Sequence, residues 1–202
     1  VTVTNQNEAP TITSNGGGAN AAINVVENDT AVTTVVFVDP DAGATKTFSI
    51  IGGADASKFT INAATGVLAF VSAPNFEAAT DVGGNNVYDV QVQVSDGVLT
   101  DTQTIAVTVT NQNEAPTIVS VDGGVNTLAS QGFVSPAILN VAEGTTAVST
   151  VIASDPDFGA VLTYSIAGGA DASKFTINAS TGVLSFISAP DFEAPADVGG
   201  NN

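Results

Sequence analysis

The sequence predicts an all-β chain, two β-sandwiches in tandem over 202 residues. Three observations carry that expectation. Apolar and polar residues alternate with a period of two in several segments, as strands with one buried face require. Turns rich in Gly, Asn and Asp separate these segments at short intervals, and no helix of useful length is visible, which favours a sandwich. Finally, long stretches of the chain occur twice.

The repeat sets the organisation. "NQNEAP" begins at Asn5 and again at Asn111, a shift of 106, and each copy follows "VTVT". "GGADASKFTIN" begins at Gly52 and Gly168, and "TGVLAFVSAPNFEA" from Thr65 matches "TGVLSFISAPDFEA" from Thr181, both shifted by 116. The shifts differ by ten, so the second unit carries a ten-residue insertion, expected as an enlarged loop within "VSVDGGVNTLASQGFVSPAIL". The expected division is therefore residues 1–8, the last strand of a preceding repeat plus linker; 9–110, the first repeat; 111–114, a linker; and 115–202, a second repeat without its last two strands. Because "VTVT" at Val1 copies Val107 to Thr110, the sequence is expected to be a piece of a longer array.

Within the first unit the expected strands are, in order, "AINVVE", "AVTTVVFV", "KTFSI", "KFTI" and "VLAFV", then two longer runs. In the first long run Tyr88, Val90, Val92 and Val94 alternate with Asp89, Gln91, Gln93 and Ser95. In the second, Ile105, Val107 and Val109 alternate with Thr104, Ala106, Thr108 and Thr110. The connecting turns are "NGGG", "DPDAG", "GGADA", "AATG" and "DVGGNN"; "ADASKF" is expected to make one short helical turn. Phe59, Ile61 and Leu68 are expected in the core, and Asp55 and Lys58 on the solvated surface.

Composition excludes several functions. Hydrophobic residues make up 44% of the chain, enough for a core, and β-branched types dominate over aromatics. Three lysines stand against twenty acidic residues, a net charge of −17. Such a chain cannot neutralise nucleic-acid phosphates and is repelled by anionic membranes. No Cys, His or Met is present, so disulfides and soft-metal sites are excluded and the commonest general base is missing. No signal peptide and no membrane-spanning run are visible. A carboxylate pair for glycoside hydrolysis would lack an aromatic sugar platform, with no Trp and two Tyr. The chain is read as a non-enzyme, exported and extracellular.

The carboxylates cluster in motifs at strand ends, most of them present in both units. Glu27 and Glu143 sit in "VEN" and "AEG"; Asp39 and Asp41 in "DPDAG"; Asp155 and Asp157 in "DPDFG"; Glu77 in "NFE"; Asp191 and Glu193 in "DFE"; Asp96 in "SDG". Asp-Pro-Asp-x-Gly also serves as a plain turn. Brought together, however, these groups repel unless a hard cation lies among them. Calcium takes six to eight oxygens from carboxylates, amides and carbonyls, the donor kinds present here.

The order V-E-N, D-P-D, "KFTIN", "DFE", "VSDG" and N-x-N-E-A-P resembles the cadherin repeat, most closely the bacterial cadherin-like repeats of giant secreted (RTX-type) adhesins. The resemblance spans essentially the whole chain. It implies seven-stranded Greek-key β-sandwiches of the cadherin/immunoglobulin-like class, with Ca2+ at junctions between units. Carried onto this sequence, the central junction takes Glu27, Glu77, Asn111, Asn113, Glu114, Asp155 and Asp157, with carbonyls of Gln112 and Ala115. Asn5, Asn7, Glu8, Asp39, Asp41 and Asp96 would form half a site toward a preceding unit; Glu143, Asp191 and Glu193 would face a following one. Three positions depart from the family pattern: Asn111 and Glu114 replace Asp in the linker, and Asn75 replaces the Asp of D-x-E. With only Glu27, Glu77, Glu114, Asp155 and Asp157 as junction carboxylates, fewer or weaker calcium ions are expected than the three of animal cadherins. The implied role is a calcium-rigidified stalk or spacer of a bacterial surface adhesin. Its partners would be neighbouring repeats or chains, and a cell-surface protein or carbohydrate. Alternatives are a fibre subunit joined by strand exchange, a homophilic or carbohydrate-binding module, and an accessory region of a secreted enzyme.

Overall fold

The computed structural model describes residues 1–41, 46–122 and 139–200, which excludes most of the expected insertion loop. The chain forms two units, Val1–Gln112 and Asn113–Asn202. Both are all-β, with 3-10 turns as the helical pieces among the described residues. No described helix is long and apolar enough to cross a membrane.

The first unit runs through β1 (Thr11–Ile12), β2 (Asn20–Val26), β3 (Ala31–Thr34), β4 (Phe37–Val38), β5 (Thr47–Gly52), β6 (Phe59–Ile61), β7 (Val67–Phe70), β8 (Val87–Ser95) and β9 (Thr100–Thr110). Every strand expected in this unit is present. One sheet has the order β2-β9-β8-β5, with β2 and β9 parallel; the other has β3-β7-β6, and β1 pairs with β4. The expected run "AVTTVVFV" is broken into β3 and β4. At the break, buried Val35 donates to the Gly66 carbonyl, while the Val36 carbonyl accepts the Thr13 and Ser14 amides. The run thereby leaves β7 and takes up β1, so one apolar segment serves two pairings.

The period-two alternation of the long strands becomes the core. Val90, Val92 and Val94 of β8 and Ile105, Val107 and Val109 of β9 are buried in one cluster with Phe48 of the same sheet and with Phe59, Leu68 and Phe70 of the other. Burial of each such side chain contributes about 1.5–3 kcal/mol. Phe59 and Phe70 stack at 4.6 Å, and Tyr88 meets the Phe70 ring edge-on at 5.2 Å. The Tyr88 hydroxyl accepts the Thr80 amide at 3.1 Å, which satisfies its polar end. Ile61 is partly buried against this cluster.

Asp55 departs from expectation. It is 2% exposed, not solvated. Its Oδ1 accepts the Val82 amide at 2.8 Å and its Oδ2 the Asp89 amide at 3.0 Å. The carboxylate ties the 3-10 turn Ala56–Lys58 to the "DVGGNN" loop and to β8. Gly53 precedes it at φ +106, where a Cβ would collide with the Asp89 carbonyl. The loop itself is a capped turn: Asp81 accepts the Asn85 and Asn86 amides, each at 3.0 Å.

The second unit shows β10 (Thr117–Asp122), β11 (Ala147–Ser154), β12 (Phe175–Ile177) and β13 (Val183–Phe186), in the order β10-β11-β13-β12. It repeats the first unit's local geometry. Phe175 and Phe186 stack at 4.6 Å as Phe59 and Phe70 do. Tyr164 donates its amide to Ala179 as Phe48 does to Ala63. The copy of β5, around Tyr164, forms no strand, because strand structure needs a paired neighbour and the described residues of this unit supply none. Phe175 is accordingly half-buried where Phe59 is 5% exposed.

Candidate metal centre

Acidic residues gather at strand ends because turns tolerate Asp and Asn and because backbone amides there lack sheet partners. At the upper end of the first unit, Asp39 Oδ1 accepts the Asp41 amide at 2.8 Å, closing the Asp-Pro-Asp turn. Asp41 in turn accepts the Glu8 amide at 2.7 Å and the Asn5 side-chain amide at 2.6 Å. Asp96 accepts the Leu99 and Val98 amides at 2.6 and 2.7 Å and the Asn7 amide group at 2.8 Å. All six residues expected at this end belong to one connected group. The Glu8 amide, then the Asn5 amide group, hold the Asp41 carboxyl below the usual range; the Leu99 and Val98 amides, then Asn7, do the same for Asp96.

At the base of the same unit Glu27 is 1% exposed. Its Oε2 accepts the Phe76 amide at 2.7 Å and its Oε1 the Gln112 amide at 2.9 Å. Asn111 donates its side-chain amide to Glu77 Oε1 at 2.8 Å, whereas Glu77 Oε2 accepts no hydrogen bond. Asn75 caps the following turn through the Ala78 amide at 2.7 Å.

The second unit repeats part of each end. Asp157 Oδ2 accepts the Glu114 amide at 2.8 Å, as Asp41 accepts that of Glu8. Asp155 Oδ1 accepts the Asp157 amide at 3.0 Å, and the Asn113 side chain donates to the Glu114 carbonyl at 2.9 Å. Ala115 is exposed beside them. At the other end Glu143 Oε2 accepts the Phe192 amide at 2.9 Å, matching Glu27 and Phe76. Glu143, Asp191 and Glu193 each offer a carboxylate oxygen within 4.8 Å of the others.

These residues suit a hard divalent cation. Every donor is oxygen, from carboxylate, amide or carbonyl, and nitrogen and sulfur ligands are missing. Asp39 Oδ2 is the telling atom: its side chain is fully buried and this oxygen accepts no hydrogen bond. A carboxylate oxygen withdrawn from water without a donor calls for a positive charge. Sequence reasoning missed the charge that does approach it, Lys46 Nζ at 3.5 Å. The available signal was that one of only three basic residues stands five positions after Asp41 of the Asp-Pro-Asp turn.

Comparison with known proteins agrees with the fold. No family model matches the chain. The chain is 31% identical to Protocadherin Fat 2 of Rattus norvegicus over 157 residues, 75% of its length, and 27% identical to Protocadherin Fat 1 of Homo sapiens over 160 residues. It spans 3% of the length of each of these proteins. A stretch of 40 residues is 50% identical to Halomucin of Haloquadratum walsbyi. Among solved structures, human Protocadherin-24 EC1-2 superposes with a TM-score of 0.57 at 19% identity, covering 92% of this chain and 80% of that one. Mouse Cadherin-23 EC22-24 gives a TM-score of 0.50 at 22% identity, covering 93% and 56%. By fold the chain is an all-β sandwich protein of the cadherin-like kind.

Proposed function

We propose that the chain is an extracellular, calcium-rigidified repeat module, a stalk or spacer of a bacterial surface adhesin, without enzymatic activity. The observation that supports this most is the duplication of one carboxylate scaffold. Glu27 and Glu143 accept the same backbone amide in each unit, and Asp41 and Asp157 accept the linker amide in each. In this reading each unit carries half a site at either end. Glu27, Glu77 and Asn111 of one unit would hold Ca2+ together with Asp155, Asp157, Asn113 and Glu114 of the next, with Gln112 and Ala115 offering carbonyls. Asn75 would contribute at the D-x-E position. The group nearer the start, Asn5, Asn7, Glu8, Asp39, Asp41 and Asp96, and the group at Glu143, Asp191 and Glu193 would serve flanking repeats.

The bound ion supplies positive charge that lets carboxylates from two modules share one place. Without it, the linker is a self-repelling hinge; with it, the linker is held from both sides and repetition yields a stiff rod. Calcium at tenfold excess over Kd adds about 1.4 kcal/mol to the folded state. Small-angle scattering in calcium and in chelator tests the proposal: the maximum dimension is expected to lengthen and sharpen with calcium. Identical profiles would remove the clamp.

A further inference from the structure

The Asp-Pro-Asp turns of the two units accept the same backbone amides, of the linker glutamate and of the second aspartate, but only the first has a lysine beside it. We infer that Lys46 is a resident counter-ion of the first unit's acidic end, competing with a divalent cation for Asp39 and so lowering the calcium affinity of that end. The inference rests on the calcium reading above.

Lys46 Nζ stands 3.5 Å from Asp39 Oδ2, the buried oxygen with no hydrogen-bond donor. It also lies over the Phe37 ring, 5.0 Å from its centroid, and that ring packs edge-on against Phe48 at 5.5 Å. The lysine side chain is 19% exposed. Carboxylate on one side and an aromatic face on the other hold the ammonium in place, where a free surface lysine would stay hydrated. This is the ion pair found among the described residues. The other two lysines, Lys58 and Lys174, lie in the "ASKF" turns, away from the Asp-Pro-Asp motifs in sequence.

The second unit provides the contrast. Its register is fixed by Tyr164, which bonds Ala179 as Phe48 bonds Ala63. By the same shift of 116, the position of Lys46 is Leu162. Asp155 makes the same amide bond as Asp39 but has a leucine in place of the ammonium. A calcium ion reaching Asp39 must displace or tolerate a unit positive charge; one reaching Asp155 meets none from this position. The lysine therefore acts as a specificity device that keeps Asp39 paired when calcium is scarce and makes the first end load later.

The test is a calcium titration of the 202-residue chain followed by amide resonances. Glu8 and Asp41 report the first unit's end; Glu114 and Asp157 report the second's. Midpoints are compared between variants at one site, because the two sites differ in completeness. Lys46→Met is expected to lower the Glu8 and Asp41 midpoint about fivefold, the ~1 kcal/mol that a unit charge about 4 Å away is worth in water. It should leave Glu114 and Asp157 unmoved. Leu162→Lys is expected to raise the Glu114 and Asp157 midpoint by a similar factor. In chelator, Lys46→Met should lower the first unit's melting temperature, since Asp39 loses its only cation, and calcium should restore it. Unchanged midpoints in a folded Lys46→Met chain that binds calcium would overturn the inference alone. So would unchanged melting in chelator. A wild-type chain whose amides ignore calcium up to ~10 mM, well above the weakest extracellular modules, would overturn the calcium reading and the competition with it.

Discussion

Replacing Asp55 by Ala should cost the first unit far more stability than a surface substitution. The carboxylate is 2% exposed and accepts two amides, at 2.8 and 3.0 Å. A hydrogen bond to a charged group contributes about 1.5–3 kcal/mol. Removing the side chain also removes the cost of burying a charge, so the lower end applies, and the sum is about 3 kcal/mol. For a unit of this size that corresponds to a fall in melting temperature of about 12–24 °C. The second unit contains its own control. Asp171→Ala removes the bond to Val198 at 2.8 Å, and its cost should be about 1.5 kcal/mol. Asp55→Asn, which keeps one acceptor oxygen, should fall between. Differential scanning calorimetry, with each transition assigned by its variant, measures all three. Because Asp55 lies outside the acidic ends, its loss should be equal in calcium and in chelator. A drop for Asp55→Ala no larger than that for Asp171→Ala would refute the reasoning, as would a calcium-dependent drop.

Three further outcomes follow from the same contacts. Gly66 adopts φ +72, and a Cβ there would lie 2.5 Å from the Val35 carbonyl and 3.0 Å from the Phe48 ring, so Gly66→Ala should destabilise the first unit by about 2 kcal/mol or more, measured by urea unfolding. Tyr88→Phe removes the acceptor of the Thr80 amide while leaving the ring contacts, and should cost about 1 kcal/mol by the same assay. Burial raises the Asp81 carboxyl's pKa, but the Asn85 and Asn86 amides outweigh it and the net shift is downward from 3.8. A depressed folded pKa means stabilisation that is full above the unfolded value and lost as pH falls through the folded one. Melting temperature should therefore fall below about pH 4, and Asp81→Asn should flatten that limb while lowering stability at neutral pH by about 1 kcal/mol.

The strands were legible because their signal is periodic. Tyr88 to Ser95 and Thr104 to Thr110 alternate strictly, and the structure buries alternate residues of both. The interruption at Val35 and Val36 was not legible, since an unbroken apolar run carries no mark of where it changes partner. The acidic ends were legible as motifs, because Asp-Pro-Asp and the Asn-rich linker are short and local. Asp55 was not: in sequence it is one acidic residue in a Gly- and Ala-rich turn, and only β8 and the loop after residue 80, distant in the chain, give it amide donors. Lys46 failed for a related reason, because a lone lysine reads as surface until the burial of Asp39 is known.

The manner in which the carboxylates are held bears directly on what they are for. Asp41, Asp96, Glu27, Asp157 and Glu143 all accept backbone amides. A neutral amide orients a carboxylate, but it cancels none of its charge. The fold therefore concentrates anions at its ends and fixes their directions while leaving a net charge of −17. A scaffold selected only for stability would spread such charge or pair it with lysine and arginine, because like charges held together oppose folding. Here one lysine among the described residues pairs with one aspartate, Lys46 with Asp39. Its position sharpens the argument. Where the chain does spend a positive charge, it places it on the buried oxygen that no amide reaches, the atom an external cation would otherwise have to neutralise.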